Sequence, residues 1–227
     1  VEEKPKPSME QIVYDKLKYS ILHRELAPGT QLVESTISEK LKVSRTPIRN
    51  AIKRLSLEGL INIIANRGAF VIQPSIDEIV QAYEARIELE CAAVKLSLSK
   101  ITADDINKLK LMVEDERASF INKDMIQFID TNEAFHMTLV RKSGNKFLIE
   151  FMQKIVNQIN VYLQLFDTFY NVNFEESESI KEHLNIIDMI EKKDSLQLDK
   201  ALREHISHSF RDLEINKASY KMLNDIF

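Results

Sequence analysis

The sequence predicts a mainly helical chain in two parts: a small head over residues 9–74, three helices closed by a β-hairpin, and an all-helical antiparallel bundle over residues 75–216. Three observations predict it. Three of the four glycines fall in the first third of the 227 residues, so tight turns are concentrated there. From Ser75 onward apolar residues recur at helical spacing and no strand pattern competes. The breaks between the long helical stretches are short and rich in capping residues, which turns each helix back along the one before it.

In the head, Met9 to about Glu25 reads as a helix with Ile12, Leu17, Ile21 and Leu22 on its apolar side. Ala27-Pro28-Gly29-Thr30 is a turn, and Ser35–Leu41 a short helix with Ile37 and Leu41 four apart. After Lys42-Val43-Ser44, a third helix is expected to start at Thr46-Pro47, with Thr46 as N-cap and Pro47 at the first helical position, where a missing N–H loses nothing. Its buried face is Ile48, Ile52 and Leu55, and Gly59 marks its end. Residues 60–64 and 69–72 read as paired strands with Asn66-Arg67-Gly68 at the hairpin tip. In the bundle, helices are expected over about 76–99, 103–121, 124–143, 145–171, 177–192 and 195–216. Residues 1–8 read as a flexible lead and 217–227 as a tail.

Composition narrows the classes of function. With 44% hydrophobic and 29% charged residues the chain should pack a core. No apolar run nears the roughly 18–20 residues that cross a bilayer, and the opening VEEKPKPSMEQ lacks the pattern of a secretory signal. The single cysteine, Cys91, reads as a small core residue and fits a reducing, cytoplasmic setting. The net charge of −4 is unevenly spread: residues 1–72 carry 12 Lys/Arg against 8 Asp/Glu, a net +4, while the remainder carries 19 against 27, a net −8. A basic head suits phosphate, and an acidic body does not.

Three helices followed by a β-hairpin make a winged helix-turn-helix, whose third helix is expected in the major groove of double-stranded DNA. Arg45 and Arg49 lie four apart at its N-terminal end and can fork onto guanine or clamp phosphate. Ser44 and Thr46 stand where free helix N–H groups also meet phosphate. Arg67 and Gly68 at the wing tip suit a groove or backbone contact. In the body, Asn132 and His136 share one helix face, and His183 and His205 sit on two later helices, so three helices could bring imidazoles to one point, as bundles do when they build metal sites.

The head strings LAPG (26–29), LKVSRTPIR (41–49), LSLEGL (55–60) and GAFV (68–71) resemble the GntR family of bacterial regulators. The body strings YEARIELE (83–90), FHMTL (135–139) with SGN (143–145), EH (182–183) and LREH (202–205) resemble the FCD ligand-binding domain of its FadR subfamily. The resemblance implies a DNA-binding repressor, not an enzyme, acting as a homodimer on a two-fold operator. It carries over Arg45, Arg49 and Gly68 as DNA contacts and Asn132, His136, His183 and His205 as ligands to a divalent metal, zinc first, with Ni, Mn or Fe also compatible. It implies a small-carboxylate effector at that metal, met by Arg86 and, less directly, Tyr83; the other reading of Arg86 is an ion pair with Glu90, one turn on. His208 matches no ligand position and reads as structural or exposed. Two departures matter. Ser35 stands where members often carry Arg, and Asn132 where many carry Asp, so this amide is the weaker ligand. Alternatives stay open: a sensor for which the metal itself is the signal, a metal-dependent hydrolase, and a long-chain acyl ligand that would need no metal.

Overall fold

The computed structural model describes residues 7–23, 25–171, 177–213 and Leu223. Most of the expected lead, and the 217–227 tail apart from Leu223, lie outside these residues. The chain divides into two compact units, one running to Ser75 and the other from Ile76.

In the first unit α1 spans Met9–Leu22, α2 Glu34–Leu41 and α3 Arg45–Leu57, followed by β1 (Ile61–Ile64) and β2 (Gly68–Val71). Ser8 caps α1, its hydroxyl accepting from the Gln11 amide at 3.1 Å. The buried face of α1 is Val13, Tyr14, Leu17 and Ile21 rather than the expected set; Ile12 and Leu22 sit half-buried at its margins. Helix α3 buries Ile48, Ala51, Ile52 and Leu55. Its start corrects the sequence reading: Ser44, not Thr46, is the N-cap, and Pro47 falls at the third helical position. A proline costs no helical hydrogen bond there, because the first-turn N–H groups have no partner within the helix. The hairpin is antiparallel with Ile61 opposite Val71 and Ile64 opposite Gly68, so Gly68 opens β2 and the turn is Ala65-Asn66-Arg67. One feature was not foreseen. The Gly29–Leu32 segment runs along the outer edge of β2, Gly29 N donating to Val71 O at 2.9 Å and Leu32 N to Ala69 O at 2.8 Å.

The second unit is α4 (Ile76–Ser97), α5 (Ala103–Asn122), α6 (Met125–Arg141), α7 (Lys146–Phe166), α8 (Glu178–Glu191) and α9 (Ser195–Arg211). The caps fall in the breaks read from the sequence. Thr102 and Asp105 form a reciprocal capping box, and Asp124, Asn145 and Asp194 each accept first-turn amides. Short links make α5–α6, α6–α7 and α8–α9 packed neighbours, and α4 packs against α6, α7 and α9. Ala93, Met137, Val140, Met152 and Val156 form a core at one part of this bundle. Cys91 is buried, as expected. Among the described residues no helix is long and apolar enough to cross a membrane.

Candidate metal centre and nucleic-acid interface

The histidines singled out in the sequence meet. His136 on α6, His183 on α8 and His205 on α9 are all buried, and their ring nitrogens lie within 4.8 Å of one another. His136 Nε2 is 3.1 Å from His205 Nε2 and 3.3 Å from His183 Nε2. Asn132, one turn before His136, is also buried and faces the adjoining cavity. The buried Phe135 ring lies against His183, centroids 4.2 Å apart.

Each imidazole is held from behind by a carboxylate that sequence reasoning did not assign. His136 Nδ1 donates to Glu90 of α4. His183 Nδ1 donates to Glu116 of α5 at 2.7 Å, and Ser179 donates to the other Glu116 oxygen at 2.6 Å. His205 Nδ1 donates to Glu182 of α8 at 2.8 Å, and Glu182 also takes a contact from His208, which is half-exposed. A carboxylate on Nδ1 fixes that nitrogen as the N–H and leaves Nε2 as a lone pair. The three Nε2 lone pairs therefore converge on one point, an arrangement that could hold a cation among them.

The spacing and the charges fit a divalent ion. Metal–imidazole bonds of about 2.0–2.1 Å separate neighbouring ligand nitrogens by roughly 2.9–3.4 Å, depending on geometry, and the separations from His136 Nε2 to His205 and to His183 fall in that interval. Arg86, the one buried cation beside the cluster among the described residues, pairs with Glu90 at 3.3 Å. Three carboxylates and one guanidinium leave the cluster at −2, which a dication cancels. The ionisation states agree. Burial pushes His136 down to about 3, with Arg86 assisting and Glu90 opposing, so it stays neutral. Burial also pushes His205 down. For Glu90 burial acts upward but His136 and Arg86 outweigh it and hold the carboxyl at about 2. Glu116 and Glu182 are likewise held below the ordinary carboxylate range against burial, by His183 and by His205 respectively.

A cavity of about 300 Å³ opens beside the cluster. Asn132, His205, Glu182, His208 and Arg211 are on its wall, together with Asp167, Glu178 and Asp212. Arg86 and Tyr83 are not on it. Arg86 is turned into the ion pair with Glu90, and buried Tyr83 places its hydroxyl 3.4 Å from Ser209, which does reach the wall. The cavity arginine is Arg211, at the end of α9, and nothing in local spacing marked it.

On the head, Ser44, Arg45, Thr46, Arg49, Arg67 and Gly68 are all exposed. Ser44, Arg45 and Thr46 are the cap and first two positions of α3, where backbone N–H groups are free. Arg67 precedes the first residue of β2, and its carbonyl accepts from Gln31 at 3.0 Å, which ties the wing tip to the segment before α2.

Comparison with known proteins agrees with this division. Residues 10–71 match the model of the gntR family of bacterial regulatory proteins, and residues 81–208 match the FCD domain. The HTH-type transcriptional regulator YdfH of Escherichia coli O6:H1 is 28% identical over 215 residues, covering 92% of both chains. The HTH-type transcriptional repressor RspR of Escherichia coli K12 is 27% identical, also covering 92% of each. Among solved structures, McbR/YncC of Escherichia coli superposes with a TM-score of 0.63 at 24% identity, covering 90% of this chain and 96% of that one, and so shares the fold.

Proposed function

Since the chain belongs to the gntR family of bacterial regulatory proteins and carries an FCD domain, we propose that it is a repressor whose operator binding is modulated by a small carboxylate held at a metal site in the helical domain. Regulators of this family bind DNA and FCD domains bind small-molecule effectors. The observation that carries the reading is the convergence of His136, His183 and His205 through Nε2, each imidazole held by its own carboxylate.

His136, His183 and His205 would hold the ion with Asn132 as a fourth, neutral ligand. A divalent ion bound there supplies open positions that draw a carboxylate oxygen. Arg211 would orient the second oxygen, and Ser209, backed by Tyr83, would offer a hydroxyl. Glu90, Glu116 and Glu182 keep the imidazoles in the metal-binding tautomer, and Arg86 keeps Glu90 ionised. In the head, Arg45 and Arg49 would read bases, while Ser44, Thr46, Arg67 and Gly68 would fix the helix and wing on the backbone. Two heads on a two-fold operator require two copies of the chain. An effector acts by favouring one placement of those heads over another. The matched relatives are transcriptional regulators, and the hydrolase alternative gains nothing from the site.

One observation favours the metal itself as signal. Among the described residues the cavity wall carries four carboxylate residues, Asp167, Glu178, Glu182 and Asp212, against one arginine, Arg211, a balance that welcomes cations more readily than anions. One experiment separates the readings. A duplex selected by the full chain from a random pool is titrated with metal-stripped protein, zinc-loaded protein, and zinc-loaded protein with mono-, di- and tricarboxylates. Release only with a carboxylate supports the effector reading. A shift with zinc alone supports the sensor. No shift in any arm overturns both and leaves DNA binding standing.

A further inference from the structure

Helix α3 presents four basic side chains, and the structure treats them differently. Arg54 is turned to α1, bonded through Nη1 to Gln11 at 3.1 Å and Glu10 at 3.4 Å, with its guanidinium 3.9 Å from the Tyr14 ring centre. Arg45 and Lys53 have no acidic partner among the described residues. Arg49 is intermediate. Its Nε donates to both carboxylate oxygens of Glu34, each at 2.9 Å, and neither terminal nitrogen has a partner among the described residues. Glu34 is the first residue of α2, and the Arg49 side chain is still 64% exposed.

That geometry points the guanidinium outward by its two free ends. A guanine edge in the major groove offers two acceptors, O6 and N7, matched to a pair of such donors. An arginine on a flexible stem with no partner would settle as readily on a phosphate, because phosphate contacts need only charge. A carboxylate beside it opposes that, since phosphate would be drawn against Glu34 as well as towards Arg49. We infer that Glu34 is a positioning residue for base reading: it holds Arg49 by Nε, aims Nη1 and Nη2 at a base edge, and keeps them off the backbone. The inference rests on the reading of α3 as the base-reading helix. Ser35, beside Glu34, is too short to fork onto a base, which gives the aim of Arg45 and Arg49 more weight.

Glu34 therefore trades affinity for discrimination. Glu34→Ala should bind unselected DNA more tightly, steepen the salt dependence by about one phosphate contact, and lower the ratio of selected to scrambled affinity about tenfold, within the range of one lost base contact. Glu34→Gln also removes the charge but keeps an oxygen for Nε. It should gain non-specific affinity while retaining the native base preference.

The test uses the full chain. Duplexes are selected from a random pool by the native protein, and dissociation constants are measured for the selected duplex, its single-base variants and a scrambled duplex. The proteins are native, Glu34→Ala, Glu34→Gln, Arg49→Ala and the Glu34→Ala/Arg49→Ala double variant. The inference holds if Glu34→Ala flattens preference at the same base position as Arg49→Ala, if Glu34→Gln does not, and if Glu34→Ala changes nothing further once Arg49 is gone. It is overturned if Arg49→Ala flattens a position that Glu34→Ala reads normally. If the native chain enriches no sequence, base reading by α3 falls and the role of Glu34 with it. Thermal melting of both Glu34 variants near the native midpoint keeps folding out of the comparison.

Discussion

Replacing Glu116 by Gln tests the carboxylate support of the metal site without dismantling it. Glu116 is buried and makes two contacts, accepting from His183 Nδ1 at 2.7 Å and from Ser179 Oγ at 2.6 Å. A glutamine is isosteric: its oxygen can accept from Nδ1 and its amide can donate to the serine hydroxyl, so both contacts survive and only the charge goes. Removing a unit charge about 6 Å from a dication, at an effective dielectric near 20, sets an upper bound of roughly 5 kcal/mol. The amide dipole and the retained tautomer recover part of it. The expected loss is the ten- to hundredfold in metal affinity usual for such supporting partners, about 1.4–2.7 kcal/mol. Glu116→Ala is the contrast: it strands the Nδ1–H and the serine hydroxyl in a void, and should cost about 1–3 kcal/mol of fold stability for each stranded group as well. Competition against a chromophoric chelator gives the affinity, and melting of the metal-stripped variants gives the stability. A Glu116→Gln protein that binds metal within twofold of native would refute the argument that the carboxylates balance the ion.

Other consequences can be measured in the same proteins. Arg67→Ala, at the exposed wing, should weaken selected and scrambled duplexes alike and reduce the slope of log affinity against log salt by about 1, as a lost phosphate contact does; an unchanged slope would remove Arg67 from the interface. Chelating the metal should lower the melting midpoint, because an ion at about 100 times its dissociation constant contributes about 2.7 kcal/mol, or roughly 5–10 °C for a unit of this size. Asp105 is held well below the ordinary carboxylate range by Lys142 first and then by the Thr102 backbone and hydroxyl. A depressed carboxyl stabilises fully above its unfolded value, about 3.9, and loses that contribution as pH falls towards the folded one. Asp105→Ala should therefore cost about 1 kcal/mol at neutral pH and much less near pH 2; an equal cost at both would separate the cap from its charge.

Much of this organisation is legible in the sequence because its signals are local. The strings around Ser44–Arg49 and Leu55–Leu60 mark α3 and its end, and Thr102, Asp124, Asn145 and Asp194 announce helix starts within one turn of themselves. The start of α3 misleads because Pro47 is tolerated anywhere in a first turn, so proline alone does not fix the boundary. The pairing of Gly29–Leu32 with β2 escapes notice because it joins segments some forty residues apart. The histidines can be nominated one by one, but their carboxylates cannot. Glu116 stands 67 residues from His183, and Glu182, adjacent in sequence to His183, serves His205 instead. For Arg86 the helical spacing allowed a partner in Glu90 or a place on the cavity, and the ion pair is what the packing selects. Arg211 reaches the cavity only because α9 runs past the cluster to its wall.

In the proposed site three buried imidazoles, each backed by a carboxylate, hold a divalent ion. The most direct test is elemental analysis of the tag-free chain beside His183→Ala, after exposure to zinc and desalting. The expected result is about one ion per native chain and none retained by the variant. A native chain that emerges without metal after reloading, or a variant that keeps it, would contradict the claim.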